Sequence, residues 1–265
     1  VRDALLGRAP LDLDVAVEAP PGTVAAVALA LGRKGWTRSA EHDRFGTATV
    51  RAPDGLKVDL ASTRSETYPE PGALPVVTPG VAIEQDLGRR DFPIHAMALS
   101  LDPQGPGSLL LDPWGGEADL RGRAIRLLHD RSLADDPTRV FRAARYAARL
   151  GFELDAGFAT ALRVAAGDGS FARISGDRLR RALGEVLAEE NRAVALAHLA
   201  RLGVPSLLVE GWTVGDGTLS SLAAPSSAEA AWEGLLAALA GELRGRIADR
   251  LSFSRALRRA AGCPR

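Results

Sequence analysis

The sequence predicts an α+β protein: a mixed sheet with flanking helices comes first, and an all-helical region follows. Three observations lead there. The run Leu11-Asp12-Leu13-Asp14-Val15-Ala16-Val17 alternates apolar and acidic residues before turning fully apolar, the pattern of a half-buried strand. Two further strand-like runs, Phe45–Val50 and Leu56–Ala61, are joined by the turn Ala52-Pro53-Asp54-Gly55. After Gly115-Gly116 the period changes, and no strand pattern appears from there to the C-terminus.

Element by element, Pro20-Pro21-Gly22 breaks the first strand and Thr23–Lys34 follows as a helix. Residues 62–82 carry Pro69, Pro71, Pro75 and Pro79 with Gly72 and Gly80, which predicts a long loop. Such loops in compact domains are often functional, and an ordinary surface excursion is the equal alternative. Ala96–Leu101 and Leu109–Leu111 are expected to be further strands. In the second half, Pro137–Leu150, Ala156–Ala166, Gly176–Ala188 and Arg192–Leu202 have helical patterns. So do Ala228–Leu239 and Glu242–Leu251, beyond a Ser/Pro-rich break at Ala224–Ser227.

The chain has 265 residues, the size of one large domain or two small ones, long enough to bury roughly 70% of its unfolded surface without a staple. The single cysteine, Cys263, excludes a disulfide framework and a Cys-rich zinc site. The longest apolar run, Val24–Leu31, falls far short of the ~18 residues of a membrane span. No apolar stretch of signal-peptide type follows Arg2-Asp3. The expectation is a soluble cytoplasmic protein with no membrane partner. Thirty-three basic and 33 acidic side chains cancel, which excludes an indiscriminate nucleic-acid coat but not a local basic face. Residues 119–150 hold eight arginines against four aspartates. Lys34 and Lys57 are the only lysines; the arginine bias suits bidentate phosphate and carboxylate contacts, and a GC-rich genome explains it as well.

Three clusters carry chemistry. On a strand, Asp12 and Asp14 point to one face with Cα atoms ~6.5 Å apart. Two carboxylates so placed can share the hard cations that flank a phosphoryl displacement, although alternating acids on an exposed strand are common. Arg89-Arg90-Asp91-Phe92 offers two guanidinium groups to a triphosphate and a carboxylate to a ribose hydroxyl. Taken alone, a surface charge cluster describes it better. In Asp135-Asp136-Pro137-Thr138-Arg139, Pro137 suits the first turn of a helix and Asp136 its N-cap, a complete structural account of Asp136. Asp136 and Arg139 are also neighbours on that helix, an acceptor beside a donor. The Watson–Crick edges of C and A each present an amino donor beside a ring-nitrogen acceptor, whereas U and G present a carbonyl in place of the amino group. One Asp–Arg pair therefore accepts C and A, and rejects U and G by leaving buried polar groups unpaired. Arg142 continues the ridge. Arg145 lies ~180° round an ideal helix from Asp136 and shares a ligand only through a long reach or a distorted first turn.

In this order the pieces resemble the class II tRNA nucleotidyltransferases (CCA-adding enzymes) and the bacterial poly(A) polymerases, from Val1 to about Leu202. Val1-Arg2-Asp3-Ala4-Leu5-Leu6-Gly7-Arg8 followed by Asp12-Leu13-Asp14 resembles that family's GGxVRDxLLGRxxxDxD motif. Val58-Asp59-Leu60-Ala61, Arg64-x-Glu66-x-Tyr68 and Asp86-Leu87-x-Arg89-Arg90-Asp91-Phe92 match the stretch up to its ribose-recognition motif. Asp112-Pro113-Trp114-Gly115-Gly116 with Asp119-Leu120 matches its head–neck hinge. Asp135-Asp136-x-x-Arg139 matches its amino-acid template, and Ile174-Ser175-x-x-Arg178-Leu179 resembles the following neck motif.

The resemblance implies a nucleotidyltransferase head over 1–114, a helical nucleotide- and RNA-binding neck over 115–190, and the start of a helical body over 191–265. It implies Asp12 and Asp14 as catalytic carboxylates binding Mg²⁺, Arg2 and Arg90 on the triphosphate, and Asp91 on the ribose. Asp136 and Arg139 would read the base, with Arg142 and Arg145 also on the nucleotide. Asp59 sits where the wider superfamily often has a third metal carboxylate. The implied activity is template-independent addition of C and/or A to tRNA 3′ ends from CTP and ATP, with release of pyrophosphate. A poly(A) polymerase and a non-catalytic RNA-binding relic are the alternatives; a nucleotidyltransferase for a small molecule fits the arginine-rich helical half less well. There are departures. The family's glycine pair would precede Val1, Pro93 and His95 replace the usual Thr and Asn, and Ala182 replaces a Glu. Both ends are expected to be cut. His129-Asp130 hints at an HD phosphohydrolase, but four histidines are too few for that site. Trp114, Trp212 and Trp232 are expected to pack rather than to stack on RNA.

Overall fold

Alternating apolar and polar residues sort the N-terminal strands onto two faces of one sheet. The computed structural model describes residues 1–10, 13–42, 46–70, 72, 74–101, 109–224 and 227–263. The chain divides into two compact units, Val1–Pro69 with Pro75–Leu120, and Glu70–Leu74 with Arg121–Arg265. The first follows the chain as α1 (Arg2–Leu5), β1 (Leu13–Val17), α2 (Pro21–Gly32), β2 (Thr37–His42), β3 (Thr47–Arg51) and β4 (Lys57–Ser62). It continues through β5 (Arg64–Thr67), β6 (Val76–Pro79), α3 (Ile83–Gly88), β7 (Ala98–Leu99), β8 (Leu110–Leu111) and α4 (Gly116–Gly122).

Among the described residues the main sheet runs β1-β4-β3-β2, with β1 parallel to β4 and the other pairs antiparallel. The register sets Val15 against Leu60 and Asp14 against Asp59. Directly paired residues share a face, so the apolar partners gather on one side and the two aspartates on the other. Helix α2 covers the apolar side: Val24 and Ala28 pack with Ala48, Val50, Val58 and Leu60, and Val15, Val17, Leu31 and Trp36 close the edges. Each fully buried Val or Leu there contributes about 1.5–3 kcal/mol, so this face fixes the strand register. The helix begins at Pro21 rather than at Thr23, because proline suits a first turn that has no use for its missing N–H.

Two expectations are corrected. The segment expected as a long loop contains the antiparallel hairpin β5–β6, with Arg64 opposite Pro79 and Glu66 opposite Val77. Pro69 and Pro75 lie in the connection and Pro79 ends the strand, positions where a two-stranded ladder tolerates proline. Strands also occur after Gly116: β9 (Ala124–Ile125) and β10 (Glu153–Leu154) pair in parallel. Two residues are too few to show a period.

The second unit is otherwise helical. Along the chain β9 is followed by α5 (Ser132–Asp135), α6 (Arg139–Leu150), β10, α7 (Gly157–Gly167), α8 (Ser170–Arg173), α9 (Gly176–Leu187) and α10 (Arg192–Arg201). Then come α11 (Val204–Leu208), α12 (Asp216–Leu222), α13 (Ala228–Leu236), α14 (Gly241–Arg250) and α15 (Arg255–Ala260). Helix α6 packs on α9 and α10. Its buried stripe, Val140, Phe141, Ala143, Ala144, Ala147, Ala148 and Leu150, is rich in alanine, so the neighbouring helices approach closely while Arg142 and Arg149 stay exposed. Trp212 and Trp232 are buried, the latter edge-on to Phe253; Trp114 is 39% exposed. Among the described residues no helix is long and apolar enough to cross a membrane.

The segment Asp112-Pro113-Trp114-Gly115-Gly116 is a helix start. Asp112 accepts hydrogen bonds from the Gly116 and Glu117 amides at 2.6 and 2.9 Å. Gly116 lies against the Pro93 backbone, where a Cβ would fall 2.3 Å from the Pro93 oxygen. Gly116→Ala is therefore expected to destabilise the chain by about 1–3 kcal/mol in urea unfolding. Gly122→Ala in the same helix, with open space around its Cβ, is expected to be neutral or stabilising by about 0.4–1 kcal/mol.

Candidate functional site

On the sheet face opposite α2, Asp14 is exposed and sits in register beside Asp59. Thr49 and Lys57 both donate to Asp59, at 2.5 Å each. These two bonds, Lys57 first, outweigh desolvation and hold the Asp59 carboxyl below the usual carboxylate range. Asp59 is thus committed to its neighbours. Asp12 lies outside the described residues. Among those described, no cluster of three or more His, Cys, Asp or Glu forms a metal cage.

The arginine pair after α3 is built around a buried carboxylate. Asp86 stands three and four residues before Arg89 and Arg90, one helical turn, so all three project together. Asp86 Oδ1 accepts from the Arg64 amide at 3.0 Å and from Arg89 Nε and Nη2 at 3.0 and 2.9 Å; Oδ2 accepts from Arg90 Nη2 at 3.0 Å. Arg89 also donates to Glu66 at 3.0 Å. Burial by itself would raise the Asp86 carboxyl, but Arg89, the Arg64 amide and Arg90 overcome it and hold the group below the carboxylate range.

Past this pair, three side chains converge on His95. Arg90 Nη1 donates to the His95 carbonyl at 3.2 Å. Asp91, 7% exposed, faces His95 Nδ1 through Oδ1 at 2.7 Å and accepts the Phe92 amide through the same oxygen at 2.9 Å. Arg2, on α1, meets His95 Nε2 through Nη1 at 2.7 Å and donates to Asp3 at 2.8 Å.

In the second unit, Asp136 has extended backbone (φ −139°, ψ 95°) just ahead of α6. Its Oδ1 accepts from the Thr138 amide at 3.0 Å and the Thr138 hydroxyl at 2.7 Å. Helix α6 starts at Arg139 with Thr138 as its N-cap, so Asp136 closes the turn ahead of the helix rather than capping the helix itself, two residues short of the expected position. The first turn is tight: the Arg139 and Val140 amides reach back three residues, to Asp136 and Pro137 oxygens. A further donor reaches the same Oδ1: Arg178 Nη2, at 3.2 Å. Arg178 is in the first turn of α9, which Ser175 caps by accepting the Arg178 amide at 3.3 Å. The other end of its fork donates to the Gly72 carbonyl at 2.9 Å. Gly72 has φ +73°, and a Cβ there would lie 2.9 Å from the Ser170 oxygen, so glycine is required on both counts. Among the described residues Asp136 Oδ2 accepts no hydrogen bond.

Arg139 is 5% exposed and donates to Ser132 at 2.7 Å. Arg142 is exposed, with its guanidinium 5.7 Å from the Tyr146 ring centroid. Arg145 joins Glu189 at 2.8 Å and Glu185 on the far side of the helix. It is not brought to Asp136, in keeping with its half-turn offset.

Residues 1–126 match the model of the poly(A) polymerase head domain. The chain is 39% identical over 222 residues, 84% of its length, to an A-adding tRNA nucleotidyltransferase of Geobacter sulfurreducens. It is 49% identical over 151 residues, 57% of its length, to a CC-adding tRNA nucleotidyltransferase of Deinococcus radiodurans. The fold superposes on the apo form II of a CCA-adding enzyme with TM-score 0.81 at 31% identity, covering 97% of this chain and 62% of that one. The chain belongs to the tRNA nucleotidyltransferase and poly(A) polymerase family. It spans 25% and 39% of the length of the two curated relatives.

Of the positions that the family resemblance implies, Arg2, Arg90 and Asp91 come together in the head, and Asp136 and Arg139 open α6. Three partners were missed as site residues. Asp86 was detectable, since an acid one helical turn before an arginine pair is its natural counter-charge. Arg178 was detectable only as the third residue after a capping serine; that it reaches Asp136 is a tertiary fact. His95 was noted merely as a substitution.

Asp86→Asn removes a buried counter-charge from two arginines. Breaking a fully buried pair costs about 3–5 kcal/mol, and the partial exposure of Arg89 and Arg90 reduces the expected loss to about 2–3 kcal/mol at neutral pH. Because the folded Asp86 pKa is lowered, its contribution is complete above the unfolded value of 3.8 and is lost as pH falls below it. Urea unfolding against pH is expected to show a shallower acid limb for Asp86→Asn than for the wild type.

Proposed function

We propose that the chain is the head and base-reading part of a template-independent RNA nucleotidyltransferase. It adds C and/or A to tRNA 3′ ends from CTP and ATP and releases pyrophosphate, in the cytoplasm where those substrates meet. The observation that carries this reading is the state of Asp136: one carboxylate oxygen held by Arg178 and Thr138, the other open, at the head of a helix that begins with Arg139. The relatives named A-adding and CC-adding support the choice of bases.

In this reading the open oxygen of Asp136 accepts the amino group of C or A while Arg139 donates to the ring acceptor beside it. U and G would set a carbonyl against that carboxylate and are refused. Arg2 and Arg90 contact the triphosphate and Asp91 takes the ribose hydroxyl. Arg142 lies along the nucleotide; Arg145, tied to Glu185 and Glu189, serves it only after leaving them. The head is assigned to 1–114, the neck to 115–190 and the start of the body to 191–265.

Mg²⁺ is the assigned cofactor, held by Asp12 and Asp14. The donor set fits: Mg²⁺ takes one or two carboxylates plus substrate phosphates rather than a full protein cage. Asp14 is exposed and lies beside Asp59 in the sheet register, and Asp59 pairs with Lys57. The bound ion supplies positive charge at the reacting phosphate and the attacking 3′-hydroxyl. The side chains position and neutralise, the larger share of phosphoryl transfer.

The test is extension of tRNA lacking its CCA end, with Mg²⁺ and each nucleoside triphosphate alone. Incorporation of C, A or both is expected, with U and G at least about 100-fold poorer. Asp136→Ala is expected to erode that preference, and Asp14→Ala to lower incorporation by about 10²–10³-fold. Incorporation of UTP or GTP as readily as CTP and ATP would sink the base-reading assignment.

A further inference from the structure

The contacts of His95 define its protonation. Arginine is a donor only and stays protonated, so His95 Nε2, 2.7 Å from Arg2 Nη1, must accept and carries no proton. Asp91 Oδ1 lies 2.7 Å from Nδ1, so the ring proton sits there. The ring is neutral and bridges a cation to a carboxylate. The backbone around it is fixed. The His95 amide donates to the Phe92 carbonyl at 2.9 Å, Pro93 and Ile94 are buried, and the His95 carbonyl accepts Arg90 at 3.2 Å. Among the described residues, Arg2 from α1 and Arg90 and Asp91 from the segment after α3 face this ring and its carbonyl. Asp3 lies behind Arg2 and Asp86 behind Arg90.

We infer that His95 is a positioning residue for the nucleotide: its neutral, Nδ1-protonated ring ties Arg2 to Asp91 and sets both in the arrangement that receives one triphosphate and its ribose. This rests on the nucleotide reading of Arg2, Arg90 and Asp91 above. An asparagine reaches Asp91 with its amide but is too short to reach Arg2 as well; a glutamine places its amide near Nε2 and loses the Asp91 side. The imidazole spans both. Protonation of Nε2 would set an N–H and a second positive charge against the Arg2 guanidinium, so the bridge requires the neutral ring.

Two measurements on the full chain decide this. The first is nitrogen-15 NMR of the imidazoles; the chain has four histidines, and loss of a signal in His95→Asn identifies the one in question. The neutral Nδ1–H form is expected at about pH 7.5; an Nε2–H form or an imidazolium there overturns the bridge. The second is calorimetric titration with Mg·ATP and Mg·CTP from about pH 8 to about pH 6. His95→Asn and His95→Gln are each expected to weaken binding about tenfold at the upper pH. Arg2→Ala is expected to weaken binding as well, and Arg2→Ala/His95→Asn no more than Arg2→Ala alone. Wild-type affinity in His95→Asn and His95→Gln, or additive losses in the double variant, overturns the inference. A wild type that binds neither nucleotide refutes the nucleotide reading itself, and the NMR result still decides the bridge.

Discussion

Arg178 reaches Asp136 at 3.2 Å and the Gly72 carbonyl at 2.9 Å, and this fork fixes which oxygen of Asp136 is held by the protein. With Oδ1 also taken by the Thr138 amide and hydroxyl, rotation of the carboxylate would cost three hydrogen bonds. A base-reading acceptor needs this restraint, because a freely turning carboxylate could accommodate a wrong edge. The restraint depends in turn on Ser175, which caps α9 and so sets where Arg178 leaves the helix. Capping, packing and recognition are therefore linked through a few bonds, all within the second unit.

The head applies the same physics with the signs exchanged. There the arginines are to be held, and the buried Asp86 carboxylate holds them. Hydrogen bonds to charged groups contribute about 1.5–3 kcal/mol where solvent is excluded, against about 0–1 kcal/mol for exposed pairs. This contrast separates Asp86 from the half-exposed pairing of Arg149 with Glu189, whose role is mostly to keep the α6 surface in order. It also assigns Asp59, beside Asp14 in the sheet register, to the scaffold: Lys57 and Thr49 answer its charge.

Much of this was legible in the sequence, for identifiable reasons. Elements such as β1, α2, α6, α9 and α10 lie within two or three residues of expectation; in α6 and α9, burial of one face set both the pattern and the fold. The β5–β6 hairpin was hidden by prolines that occupy its connection and strand end. The pair β9–β10 was hidden by being two residues long. At the site, Pro137 marks the turn that Asp136 closes, but the helix itself starts two residues later, at Arg139. The sequence places Arg139 near Asp136 as a donor beside an acceptor; it does not show that the arginine bonded to Asp136 comes from a helix some forty residues on. Local spacing reports local neighbours. Which cation crosses from another helix is decided by packing, which one sequence does not display.

The central claim is that a protein carboxylate replaces a template base, and the structure of this chain with bound CTP tests it most directly. The account predicts the cytosine amino group about 3 Å from Asp136 Oδ2, with Arg139 donating to the adjoining ring acceptor and Arg178 still on Oδ1. A cytosine bound elsewhere, with Asp136 contacting only Thr138 and Arg178, would contradict it.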